Sequence, residues 1–165
     1  MILCKFPEYY NLNSDSNVDC LRNNYGESHD CTSVNSSGTQ TQKKHVMICD
    51  DEPDLLEVFE ITLKPEYDVI SVDSGEACIA NYIKEKNMGN KIDLILLDYK
   101  LRDMLGDYVA RKIRSYDGTK IVLISAYDLD TKLIQELEDG NYIRKFVKKP
   151  IHPNDLVELV SEITS

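Results

Sequence analysis

The sequence has no apolar run long enough to cross a bilayer, which takes about 20 consecutive apolar residues. It does not open on a signal-peptide core either: Met1-Ile2-Leu3-Cys4 is too short, and polar residues follow at once. These two absences set the expectation of a cytoplasmic chain. Basic residues are in deficit, with 19 Lys and Arg against 29 Asp and Glu and a formal net charge of -10. That balance argues against a chain that wraps nucleic acid or lies on an anionic membrane, and it suits cations or basic partner surfaces. Cysteines number five, an odd count at irregular spacing, which does not make a disulfide framework. No Cys-x-x-Cys pair is present, so Cys4, Cys20, His29 and Cys31 lack the close spacing of structural zinc sites. No internal repeat appears. At 165 residues and 42% hydrophobic content, the chain suits one packed core plus some surplus.

The surplus lies at the amino end. Residues 1 to about 43 carry the polar runs Asn11-Leu12-Asn13-Ser14-Asp15-Ser16-Asn17 and Ser33-Val34-Asn35-Ser36-Ser37-Gly38-Thr39-Gln40. Such runs bury too little apolar surface to offset the entropy of ordering, so a disordered tail is expected there. Phe6, Tyr9 and Tyr10 are candidates for a short partner-binding segment within it.

From residue 44 to 165, apolar runs and helical periodicity alternate five times. His45-Val46-Met47-Ile48-Cys49 reads as a buried strand followed by Asp50-Asp51-Glu52. Pro53 suits the first turn of a helix, whose apolar positions are Leu55, Leu56, Val58, Phe59, Thr62 and Leu63 before Pro65 ends it. Tyr67–Val72 is a second strand, and Asp73-Ser74 can cap a helix whose inward face is Ala77, Ala80, Ile83 and, as a further candidate, Ile79. Ile92–Asp98 is the third strand, and Gly106 opens a helix that buries Val109 and Ile113. Lys120–Ile124 is the fourth, leading to Ser125-Ala126. Leu129, Leu133, Ile134 and Leu137 mark a helix stopped at Gly140. Tyr142–Val147 is the fifth, and the last helix starts near Pro153 with Leu156, Leu159, Val160 and Ile163 at i, i+3, i+4 and i+7. This alternation predicts an α/β fold, a five-stranded parallel sheet with five helices on its two faces. Right-handed crossovers bring every strand's carboxyl end to one edge, where ligands bind in such sheets.

The residues leaving those strands are Asp50 and Asp51, Asp98, Ser125 and Lys149. Each has a plain structural reading. Asp50 and Asp51 can cap the helix at Pro53, Asp98 and Ser125 can be turn residues, and Lys149 can be a solvated charge. Gathered at one edge, they read differently. Crowded carboxylates repel and raise one another's pKa. A hard divalent cation, Mg²⁺ or Mn²⁺, resolves the conflict through oxygen ligands. Ser125 adds a hydroxyl and Lys149 a mobile positive charge. Such a set suits phosphoryl transfer, with Asp98 as the nucleophile that becomes an acyl phosphate.

These residues resemble the receiver domain of two-component response regulators, a doubly wound, flavodoxin-like three-layer sandwich. The match runs over roughly residues 44 to 164: the acidic pair Asp50-Asp51, the phosphoacceptor Asp98, Gly106, the Ser125-Ala126 step, the Lys149-Pro150 dipeptide and the aromatic at Phe146. The resemblance implies that Asp51, Asp98 and the backbone carbonyl of Lys100 hold Mg²⁺, with Asp50 acting partly through water. It implies a cis bond before Pro150 and a switch made of Ser125 and Phe146. It also implies that Lys100 and Tyr127 flank the path of the hydrolytic water and tune the lifetime of the phosphorylated state.

The implied function is that of a response regulator in a phosphorelay. A histidine kinase or histidine phosphotransfer protein supplies the phosphoryl group. A downstream protein reads the face of the fourth helix, fifth strand and fifth helix. The chain is then a self-modifying phosphoacceptor and not a turnover enzyme. Since the sequence stops after the fifth helix, a stand-alone receiver is expected. The loop departs from the family pattern at Arg102, where many receivers carry Pro, and at Leu105, where they carry Asp. A haloacid-dehalogenase-like phosphatase would need a second Asp two positions after the nucleophile, where Lys100 stands. A receiver-fold binding module acting without phosphate is the alternative.

Overall fold

The computed structural model describes residues 43–165. The expected tail and the Cys4, Cys20, His29 and Cys31 set lie outside the described residues.

Ten elements alternate along the chain: β1 (His45–Cys49), α1 (Pro53–Leu63), β2 (Asp68–Val72), α2 (Gly75–Asn87), β3 (Leu94–Asp98), α3 (Gly106–Arg114), β4 (Lys120–Ser125), α4 (Thr131–Asp139), β5 (Lys145–Lys148) and α5 (Pro153–Thr164). The strands are all parallel and lie in the order β2-β1-β3-β4-β5. Helices cover both faces, which is why β1, β3 and β4 are apolar almost throughout and lack alternation. One core layer joins Met47, Ile95, Leu97, Ile121 and Leu123 to Cys78, Tyr82, Val109, Ile113 and Leu137 of α2, α3 and α4. The other joins Val46, Ile48, Leu94, Leu96 and Val122 to Phe59 and Leu63 of α1 and Leu156, Leu159, Val160 and Ile163 of α5. The result is the doubly wound three-layer sandwich that the alternation predicts.

Several details differ from the sequence reading. The buried face of α2 is Gly75, Cys78 and Tyr82, while Ala80 is exposed and Ala77, Ile79 and Ile83 are half-buried. Gly75 packs closely against Met104 of the β3–α3 loop and Val109 of α3. A Cβ there would come within 2.4 Å of Met104 Cγ and 2.9 Å of Val109 Cγ2. On α1, Val58 faces solvent and the burial falls on Phe59 and Leu63. Strand β5 begins at Lys145, three residues later than expected. The amides of Tyr142 and Ile143 close the end of α4 by donating to Leu137 O, so this segment finishes a helix before it can start a strand. Gly140 follows α4, but its φ is -75° and the left-handed residue is Asn141 at φ 54°, a conformation that Asn tolerates.

Candidate functional site

The strand order sets the site. Helices α1 and α2 leave β1 and β2, and the next crossover goes to the other side of β1, so chain direction across the sheet reverses between β1 and β3. A crevice opens at such a reversal, outside the carboxyl ends of the strands. Asp50 and Asp51 follow β1 there, and Asp98 ends β3. Ser125 ends β4, and Lys149 directly follows β5. All five sequence-derived residues therefore reach one edge.

Lys149 ties the group together. Its Nζ lies 2.6 Å from Asp50 Oδ2 and 2.6 Å from Asp98 Oδ1, with Glu52 Oε1 at 3.8 Å. Asp50 is 3% exposed and Asp98 is 6% exposed, so these are buried charges. The remaining oxygens are satisfied by the backbone: Glu52 N donates to Asp50 Oδ1 at 3.0 Å, and Lys100 N donates to Asp98 Oδ2 at 2.7 Å. Burial holds the Asp50 carboxyl above the usual carboxylate range, outweighing the pull of Lys149. Burial alone would lower the Lys149 ammonium, but its bonds to Asp50 and Asp98 hold it above its ordinary value. The lysine is therefore a firmly charged counter-ion to two acids.

Asp51 does not share in this triad. Its Oδ2 accepts from Arg102 Nε at 3.0 Å, and its carbonyl accepts from an Arg102 η nitrogen at 2.9 Å. Ser125 is buried at 1% exposure, and its Oγ accepts from Tyr127 N at 2.9 Å, which leaves the hydroxyl proton free to donate. Phe146 is half-buried against the α2–α4 core layer, paired in register with Leu123. The Lys149–Pro150 bond is cis. Lys100 and Tyr127 meet each other over the rim: Lys100 Nζ lies 4.5 Å from the Tyr127 ring centre and 3.3 Å from its hydroxyl.

The loop between β3 and α3 is pinned at several points that the sequence did not reveal. Asp103 accepts from Gly75 N at 3.0 Å and Glu76 N at 2.8 Å, capping α2 from 28 and 27 positions away. Burial would raise the Asp103 carboxyl, but these amides bring it below the usual range. An antiparallel bridge joins Lys100 to Leu105. Gly106 N donates to Tyr99 O at 2.7 Å, and a Cβ on Gly106 would sit 2.5 Å from the Asp98 carbonyl oxygen. Only glycine lets α3 begin this close to the strand that carries Asp98. The only sequence signal for the Arg102 clamp was the departure from Pro at that position; Asp103 had none.

Hard oxygen donors from Asp50, Asp51, Asp98 and the Lys100 carbonyl have the chemistry that Mg²⁺ requires. Among the described residues no three acid, His or Cys side chains are already grouped to hold a metal ion. The reason is visible in the pairing: Lys149 stands against Asp50 and Asp98, and Arg102 occupies Asp51. The chemistry of the donor set fits the ion, with Arg102 on Asp51 as the cation that competes for it. A groove of about 910 Å³ lies elsewhere, beside Val147, Ile151 and Leu159.

A parallel sheet in this order is the doubly wound, flavodoxin-like class of fold, which places its ligand site at the β1–β3 reversal. The chain matches the response regulator receiver domain over residues 46–161, and it belongs to that family. It is 31% identical over 121 residues to the DNA-binding response regulator MtrA of Mycolicibacterium smegmatis, which covers 73% of this chain and 50% of that protein. It is 28% identical over 119 residues to the transcriptional regulatory protein ResD of Bacillus subtilis, covering 72% of this chain and 47% of that protein. The chain thus spans about half the length of these curated relatives. Response regulator protein TrrA of Thermotoga maritima, solved in complex with Mg²⁺-BeF, is 26% identical with a TM-score of 0.58, covering 73% of this chain and 98% of that one. A CheY-like receiver domain protein of Methanospirillum hungatei shares the fold at a TM-score of 0.64 and 24% identity, covering 73% of this chain and 93% of that one. Its relatives are response regulators of two-component systems, and phosphorylation with a change of partner is generic to the family. Among the described residues no helix is long and apolar enough to cross a membrane.

Proposed function

We propose that Asp98 accepts a phosphoryl group from the phosphohistidine of a sensor kinase or phosphotransfer protein. The observation that carries this reading is Lys149 Nζ at 2.6 Å from both buried acids, Asp50 and Asp98. Asp51, Asp98 and the Lys100 carbonyl would hold Mg²⁺, with Asp50 contributing partly through water, and the ion would supply neutralisation of charge on the phosphoryl oxygens.

The backbone bond from Lys100 N to Asp98 Oδ2 fixes the rotation of the carboxylate and so aims its lone pairs. An Asp98 oxygen forms the new O–P bond as the N–P bond to the donor histidine breaks, and the electron pair returns to the imidazole. Lys149 moves its ammonium from the carboxylate to the phosphoryl oxygens and stays bound to Asp50. The Ser125 hydroxyl, whose proton is free, turns to donate to the phosphoryl group. That movement empties space beside β4, into which Phe146 rotates. The face of α4, β5 and α5 then presents a different surface to a downstream protein, a two-state element biased by a local charge. The Lys100–Tyr127 pair spans the rim on the approach to Asp98 and slows entry of an in-line water, so the acyl phosphate is long-lived.

The test is intact mass after incubation with acetyl phosphate. One phosphoryl group adds in Mg²⁺, is absent with a chelator, and is absent in Asp98→Asn. Full labelling of Asp98→Asn, or labelling indifferent to EDTA, sinks the reading. Lifetime is checked by decay after donor removal: Lys100→Asn with Tyr127→Ala loses its phosphoryl group faster than wild type.

A further inference from the structure

Three acids and two cations meet at this edge, and the mechanism uses only one of the cations. Lys149 touches Asp50 and Asp98. Arg102 grips Asp51, with one bond to the carboxylate and one to the carbonyl of the same residue, across 51 positions of sequence. The Arg102 side chain is 76% exposed, so packing does not place it; the two charge-assisted bonds do.

We propose that Arg102 is a built-in counter-ion of Asp51 that competes with a divalent cation for this carboxylate, so that this arginine lowers the protein's affinity for Mg²⁺. The inference rests on the proposed role of Asp51 as a metal ligand. Charge arithmetic supports it. Of the three aspartates, Asp50 and Asp98 are offset by Lys149 and Asp51 by Arg102, with Glu52 a fourth acid 3.8 Å from Lys149, so the edge stays net negative. With Arg102 withdrawn, the excess of negative charge grows by one, which favours a divalent ion. A guanidinium stays charged at every physiological pH, so the competition is permanent. It is also mild. An exposed ion pair is weak, so the expected effect is roughly a two- to tenfold loss of metal affinity and no abolition. Exchange does not require the loop to unfold, because Asp103 on the amides of Gly75 and Glu76 and Gly106 on Tyr99 O keep it in place. Proline at this position would leave Asp51 with no such partner, so the departure at Arg102 gives this chain a metal threshold of its own.

The experiment is calorimetric titration of the full chain with Mg²⁺, without phosphodonor, on wild type, Arg102→Gln, Arg102→Lys and Asp51→Asn. Arg102→Gln is expected to bind several-fold more tightly than wild type, with Arg102→Lys between them because it keeps the charge and loses the fork. In ¹⁵N spectra, the Arg102 Nε–H signal shifts and exchanges faster as Mg²⁺ saturates. Arg102→Gln binding no more tightly than wild type while Asp51→Asn binds weakly overturns the counter-ion role and leaves the metal site standing. An Arg102 Nε–H signal unmoved at saturation overturns it as well. Asp51→Asn binding as wild type does removes Asp51 from the metal site, and this inference with it.

Discussion

The two edges of the sheet use the same side chain in opposite ways. At the carboxyl edge, the Lys149 side chain is 9% exposed and faces two full negative charges. At the amino edge, Lys44 and Lys120 donate to neutral carbonyls, Thr164 O and Ile163 O, at the end of α5. That helix has no basic residue in its own last turn, so lysines from the strand starts supply the charge its terminal dipole favours. The amino edge is a set of caps: Asp93 takes the His45 amide, and Asp117 joins Lys86 and Thr119. At the carboxyl edge Asp103 caps α2, but Asp50, Asp98 and Lys149 form a buried charged cluster that caps no helix. Desolvating charges is costly and buried pairs are weak sources of stability, so their presence at one edge alone marks where the chemistry lies.

The sharpest way to break this contrast is Lys149→Met. Removing one partner of a buried cluster leaves the others uncompensated, at a cost of roughly 3–5 kcal/mol. Chemical denaturation in EDTA should show that loss, and Mg²⁺ should restore part of it by replacing the missing charge. A loss below about 1 kcal/mol would mean that water already screens the acids. Next in size is Gly106→Ala, which drives a Cβ to within 2.5 Å of the Asp98 carbonyl oxygen. Backbone displacement there should cost about 1–3 kcal/mol and also slow labelling by acetyl phosphate; a melting temperature equal to wild type would show that the start of α3 can move aside.

At the amino edge the effects should be smaller. Tyr82, buried in α2, shares a 3.1 Å hydrogen bond with Thr119, and Phe in its place should cost about 1 kcal/mol at neutral pH. Burial, and then nearby Asp117, push its hydroxyl up to about 12 from 10.0. A raised folded-state pKa stabilises below the unfolded value and is lost as pH rises through the folded one. Stability should therefore fall more steeply between pH 10 and 12 in wild type than in Tyr82→Phe, as read by urea midpoints across that window. Parallel slopes would show that the ring opens to solvent before it ionises. The smallest effect should come from Lys120→Met. Loss of one charge at the end of α5 is worth about 0.3–1 kcal/mol and should shrink with added salt. A loss as large as that of Lys149→Met would erase the distinction between the edges.

Legibility in the sequence followed the range of the forces. The abrupt end of Leu94–Leu97 in Asp98 marked a buried strand meeting the site, and the whole apolar stripe of α5 is buried as its spacing predicts. On helix α2 the spacing finds Ala77, Ile79 and Ile83, which pack half-buried against the core, but not the fully buried Gly75, Cys78 and Tyr82, which are weakly apolar or amphipathic, and Ala80 faces water. Val58 was misread for the converse reason, being a strong apolar residue on the exposed side of α1. Strand β5 starts later than its apolar run suggests because Tyr142 and Ile143 serve the α4 terminus. Arg102 was visible as a departure from the family pattern, but its partner was not.

Residue order by itself determined the alternation of strands and helices and the kind of residue that ends each strand. Those follow from burial periodicity and turn chemistry, which act over a few residues. Tertiary structure decided which of those ends touch. Lys149 meets Asp50 across 99 positions and Arg102 meets Asp51 across 51, because the order β2-β1-β3-β4-β5 carries distant strand ends to one edge. The split of three carboxylates between two cations is a balance of burial and reach in three dimensions, and no local pattern along the chain encodes it.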